Sequence, residues 1–136
     1  MNDKKTIGLT PAGETAMEQL MAQGCFKDMI DAAKFAMAIA IREGDAPLPV
    51  EGANTIWNVG SFDSDGQIKQ ILPVLFAGCD SSYRAAESLI DQGLFRIGQI
   101  IAIGPFEPVR LLASVSITVA DGGTSTLKFP DGGTNS

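Results

Sequence analysis

TIGLTPAGETAMEQLMAQGCFKDMIDAAKFAMAIAIREG, residues 6–44, sets the architecture of the chain: a short extended piece, a sharp helix start, and two helices separated by a glycine. Lys4–Leu9 is the extended candidate. Thr10 then offers its hydroxyl to free backbone N–H groups, and Pro11 suits the first helical position, where no N–H is needed. Ala16, Met17, Leu20 and Met21 recur on one face and Gly24 is a left-handed terminator, so the first helix is expected over 11–23. The second, over 27–43, carries Met29, Ile30, Ala32, Ala33, Phe35, Ala36, Met37, Ala38, Ile39, Ala40 and Ile41, with polar Asp28, Asp31 and Lys34 confined to its first half. A helix apolar on nearly every side belongs inside a core. One chain of 136 residues has few elements with which to cover it. A second copy or a partner protein is therefore expected to supply the missing wall, through Met29, Ile30, Ala33, Phe35, Met37, Ile39 and Ile41.

Outward from this stretch, GDAPLPVEGAN (44–54) has two prolines and no periodicity and reads as a connection that runs on to residue 66. Within it, Thr55–Val59 is a short extended piece. Ser61–Gly66 is a turn, with Asp63 or Asp65 placed to cap the next helix. Ile68, Ile71, Leu72, Leu75 and Phe76 then recur at helical spacing over 67–77, and Pro73 is expected to kink that helix or delay its start. A helix over 81–92 is expected to close at Gly93, followed by a short apolar helix over 94–103 and another from Pro108 to Ala113. Val115, Ile117 and Val119 alternate with small polar residues ahead of Asp121-Gly122-Gly123, the pattern of a β-hairpin over 114–129. Residues 130–136 are expected to be a flexible tail. The fold expected is mainly α: a short N-terminal strand, a bundle-like helical core around the second helix, and a C-terminal β-hairpin, all in a single domain, 1–136.

Composition narrows the chemistry. There is no histidine, which removes the usual zinc sites, the Ser-His-Asp and Cys-His nucleophile systems and the commonest general base. Asp28, Asp31, Glu87 and Asp91 are read as surface charge, with Arg84 and Glu87 as an ordinary pair one turn apart, and neither a catalytic residue nor a cofactor or metal ligand is assigned. Asp63-Ser64-Asp65-Gly66 starts like a calcium loop, but its twelfth position is Val74 where a glutamate is needed, so it is a turn and cap. Asp121-Gly122-Gly123 and Asp131-Gly132-Gly133 lack the lysine and helix context of a phosphate loop and are read as turns. Cys25 and Cys79 have no CxxC spacing and are expected to be reduced, packed thiols. Trp57, Phe62 and Tyr83 are expected to pin the middle of the chain onto the helices. The longest apolar run, Phe35–Ile41, is too short for the roughly 20 residues of a membrane span, and the polar start MNDKKTIGLTP has no apolar signal region. A cytoplasmic protein is expected.

The Leu9-Thr10-Pro11-Ala12-Gly13 junction followed by two helices resembles the strand–helix–helix order of ribbon-helix-helix DNA-binding proteins, and more loosely the small DndE proteins of DNA phosphorothioation systems. In ribbon-helix-helix dimers two such strands pair across a two-fold axis and read the major groove. On this chain that resemblance implies nucleic-acid contact through Lys4, Lys5 and Thr6, with Gly8 beside them. The net charge of −6 works against nucleic acid, because phosphate neutralisation needs clustered lysine and arginine. The function expected is therefore a non-catalytic, oligomeric accessory or protein-interaction subunit of a larger bacterial assembly, DNA-linked or defence-related as the DndE resemblance implies. A ribbon-helix-helix-type DNA-binding dimer is the alternative.

Overall fold

Thr10 begins the first helix as its chemistry dictates. The hydroxyl accepts the N–H of Gly13 at 2.9 Å, and Pro11 occupies the first turn. The structure, a computed structural model, describes residues 3–113, 115–118 and 124–127. They fall into two compact units, 1–104 and 105–136.

The first unit contains strand β1 (Thr6–Leu9), helix α1 (Pro11–Ala22), helix α2 (Met29–Arg42), strand β2 (Asn54–Asn58), a short helix α3 (Val59–Phe62), helix α4 (Gln67–Leu75) and a long helix α5 (Ser82–Ile103). β1 and β2 form a two-stranded antiparallel sheet with a bulge between Ile7 and Gly8. Asp28 caps α2 by accepting the N–H of Asp31, and Gly24 and Gly44 follow α1 and α2 in the left-handed conformation. The chain is mainly helical, with one short sheet in this unit.

The core is built around α5, whereas the sequence pattern points to α2. α5 packs against α2, α1, α4 and β1. It buries Tyr83, Ala85, Ala86, Leu89, Ile90, Leu94 and Ile97. It is one continuous helix, where two are expected from the sequence with a break at Gly93. Gly93 is not among the left-handed glycines; it lies where α5 crosses α2, and a Cβ there would stand 1.9 Å from the Ala36 carbonyl oxygen. Glycine here permits backbone contact between helices, a use that a sequence pattern does not separate from a helix stop. Ala32, Ala33, Ala36 and Ala40, all wholly buried, line the α2 side of the core.

Pro73 does not delay the start of α4: the helix starts at Gln67 and runs through to Leu75 with the proline inside it. A proline at this position leaves the Lys69 carbonyl without its usual partner four residues on. The buried Ser82 hydroxyl donates to that oxygen at 3.0 Å. Ser82→Ala is expected to cost about 1 kcal/mol in urea unfolding, the scale of one lost hydrogen bond. In a Pro73→Ala background, where residue 73 regains its N–H, the cost of Ser82→Ala should shrink towards zero; an equal cost in both backgrounds would show that the hydroxyl does not serve this carbonyl.

In the second unit, helix α6 (Pro108–Ala113) matches the expected span, and strands β3 (Val115–Thr118) and β4 (Thr124–Leu127) pair antiparallel. The turn of the expected hairpin and the 130–136 tail lie outside the described residues, so the hairpin stays an expectation.

Candidate functional site

The residues expected to meet a partner are largely enclosed by the chain itself. Ala33 (0% exposed), Phe35 (8%), Met37 (8%) and Ile39 (1%) are buried, whereas Met29, Ile30 and Ile41 are half-buried. Phe35 also stacks obliquely on Phe26, with ring centres 5.2 Å apart. The wall that the apolar pattern assigns to a second chain is supplied by α5.

The residues expected to touch nucleic acid lie at and just before β1. Lys4 places its ammonium 3.6 Å from the Glu87 carboxylate, the Thr6 hydroxyl accepts from that of Thr55 at 3.5 Å, and Lys5 is exposed. β1 pairs along one edge with β2 of the same chain, and its Gly8 N–H is given to Glu87 at 2.8 Å. Glu87 is thus buried beneath the strand rather than a surface charge, and Asp91, one turn further along α5, accepts the Thr10 hydroxyl at 2.7 Å. Together the two carboxylates tie the β1–α1 junction to α5. Cys25 is exposed and Cys79 half-buried, so neither is the packed thiol that their neighbours suggest; both are free.

Among the solvent-open features of the first unit, two lie along α4 and the segment that follows it. The first is the outer stripe of α4. Ile68 and Leu72 face inward, while Ile71, Val74 and Leu75 are 49%, 79% and 47% exposed. The stripe is held in place from the α4 N-terminus. The buried Asp63 carboxylate accepts the N–H groups of Ile68 (3.0 Å) and Lys69 (3.1 Å) and the Tyr83 hydroxyl (2.8 Å). Burial alone would raise the Asp63 pKa, but these three donors and the Lys34 charge outweigh it and hold the carboxyl below its ordinary value. Tyr83 responds oppositely. Burial, the hydrogen bond to Asp63 and the negative charges of Asp63 and Asp3 push the phenol up to about 12. Beside this network the Trp57 and Phe62 rings meet at 5.1 Å, and the Lys34 ammonium lies 5.5 Å over the Phe62 ring. These aromatics do pin the middle segment.

The second feature is a cleft of about 520 Å³ between Pro47–Val50 and Phe76–Asp80, lined also by Ser81, which caps α5, and by Arg84, Ala85 and Glu87 of α5. Its first wall is fastened to one stripe of α5. Ser88 accepts the Leu48 N–H at 2.7 Å, Gln92 donates to the Ala46 carbonyl at 2.8 Å, and Arg96 binds Asp45 through two nitrogens at 2.8 and 2.7 Å. The Arg96 hydrogen bonds and charge hold the Asp45 carboxyl below its ordinary value against the opposing effect of burial. Ser88, Gln92 and Arg96 stand four residues apart, so they share one face of the helix. That spacing is visible in the sequence, but its partners, some 40 to 50 residues away, are not.

Among the described residues no group of three acidic or cysteine side chains converges to hold a metal ion, and no helix is long and apolar enough to cross a membrane. Comparisons with protein families, with curated proteins and with solved structures found no match to this chain.

Proposed function

We propose that the chain is a non-catalytic subunit that acts by contact with another protein chain, a second copy first of all, within a larger bacterial assembly of the DNA-linked or defence type. The observation that carries this reading is the outer stripe of α4, where Ile71, Val74 and Leu75 face water on a helix whose other side is fixed in the core. Taking such side chains out of water contributes about 1.5–3 kcal/mol each when burial is complete. Gln67, Ile71, Val74 and Leu75 carry no charge, so two copies of a chain with net charge −6 can approach along this stripe without placing like charges opposite one another.

Sedimentation of the wild-type protein and of Val74→Glu tests the reading. The wild type is expected to self-associate, and the variant to sediment as a monomer with unchanged helical content, because a carboxylate cannot be buried unpaired in an apolar contact. A monomeric wild type that is indistinguishable from the variant, at concentrations up to the millimolar range, would refute it. A ribbon-helix-helix-type DNA binder would instead show DNA affinity that falls steeply with salt and weakens on neutralising Lys4 and Lys5.

A further inference from the structure

α5 has 22 residues and no acidic side chain in its first turn, although a helix N-terminus favours negative charge. The charge is brought from the start of the sequence. Asp3 sets its carboxylate against that turn, where it accepts the Tyr83 N–H at 3.1 Å and the hydroxyl of Ser81, whose oxygen in turn accepts the Arg84 N–H at 3.2 Å. The next two residues are tied as well: the Lys4 ammonium lies 3.6 Å from Glu87, and the Lys5 carbonyl accepts the Val59 N–H at 3.0 Å. Residues 3–5 thus form a strap over the start of α5. Its ties are polar, and it contains no apolar residue.

The turn that the strap caps is also the turn that holds α4. Ser82 donates to the Lys69 carbonyl at 3.0 Å, and the Tyr83 hydroxyl donates at 2.8 Å to Asp63, which itself accepts the Ile68 N–H at the start of α4. Three consecutive residues, Ser81, Ser82 and Tyr83, therefore connect the strap to α4. Polar ties that water can replace release at less cost than the buried contacts of Ile7 and Leu9 in β1, so the strap can come away while the core stays shut. A first turn that loses its cap frays. We propose that residues 3–5 are a conformational control on α4: the seated strap keeps the first turn of α5 formed and α4 fixed, and release of the strap loosens both. Contact along the outer stripe of α4 then weakens, because a loosened helix must be ordered again on association. That last consequence rests on the self-contact reading of Ile71, Val74 and Leu75 given above; the hold of the strap on α4 does not.

Urea unfolding of Asp3→Ala, Ser82→Ala and the double variant tests the hold on α4. Both residues act through one turn, so the midpoint shift caused by Ser82→Ala should fall to about half or less once Asp3 is replaced. Asp28→Ala, which removes the cap of α2, serves as the control and should keep its full effect in the Asp3→Ala background. Additive effects of Asp3→Ala and Ser82→Ala, or an equal reduction for Asp28→Ala, would overturn the proposal. Sedimentation tests the consequence. Asp3→Ala is expected to raise the dissociation constant of self-association about fivefold, the factor to which loss of a helix cap corresponds. An associating wild type whose dissociation constant is unchanged in Asp3→Ala would also overturn it. A wild type that never associates refutes the self-contact reading instead, and the urea cycle then decides the strap on its own.

Discussion

Gly93→Ala should destabilise the protein by about 3 kcal/mol or more, the upper range for forcing extra volume into a packed core. The added methyl carbon would lie 1.9 Å from the Ala36 carbonyl oxygen and 2.5 Å from its carbon. Both are backbone atoms of α2, so no side chain can swing aside, and α2 and α5 would have to separate along their crossing. The intrinsic helix preference of alanine over glycine works the other way by up to about 1 kcal/mol, and the steric effect wins. Gly98 on the same helix provides the control. A Cβ there would meet Ala16 at 3.7 Å, an ordinary contact, so Gly98→Ala should be neutral or stabilising by up to about 1 kcal/mol. Urea unfolding of the two variants measures the difference directly. Similar effects from both would show that α2 and α5 are not in backbone contact at Gly93.

Asp63→Ala is expected to cost about 3 kcal/mol, because it strips three donors of their acceptor at once and leaves the Tyr83 hydroxyl buried without its partner. The same carboxylate sets part of the acid limb. Its pKa in the folded protein lies below the ordinary 3.8, so the unfolded chain binds the proton more readily. The stabilisation is therefore complete above the unfolded value and is lost as pH falls through the folded one. Asp45, held down by Arg96, contributes in the same direction. Asp63→Ala should accordingly be less stable than wild type at neutral pH, with the gap narrowing below about pH 4. At the alkaline end the sign reverses. Tyr83, raised to about 12, favours folding while protonated, and that contribution is lost as pH rises from about 10 towards the folded value. A gap between wild type and Asp63→Ala that stays constant from neutral to acid pH would contradict this role for the network.

Local chemistry is the legible part of the fold. Thr10 and Pro11 start α1, Gly24 and Gly44 end α1 and α2, and Asp63 reaches the first N–H groups of α4, each through contacts within about one turn. The short extended piece expected at Thr55–Val59 overlaps β2, Asn54–Asn58. The illegible part depends on distance along the chain. Glu87 has the composition of a surface residue and becomes buried only because Gly8, 79 residues earlier, presents an N–H to it. Gly93 carries the same letter whether it stops a helix or admits another backbone; only the position of Ala36 decides. The oily surround of α2 suggests a missing wall because a pattern shows how much surface needs cover and not which element covers it. Splitting 81–103 at Gly93 hides the one helix long enough to do so. On α4 the amphipathic pattern is plain, but the exposure of Ile71, Val74 and Leu75 on its far side emerges only in the structure.

If α2 is sheltered by its own chain while α4 is the surface that meets others, amide hydrogen exchange on the Val74→Glu variant, prepared as a monomer, separates these roles most directly. Slow exchange across residues 29–42, equal to that of the associated wild type, is the result expected. Loss of protection along α2 on becoming monomeric would mean that a second chain had been covering that helix, and would contradict the assignment of α5 as its cover.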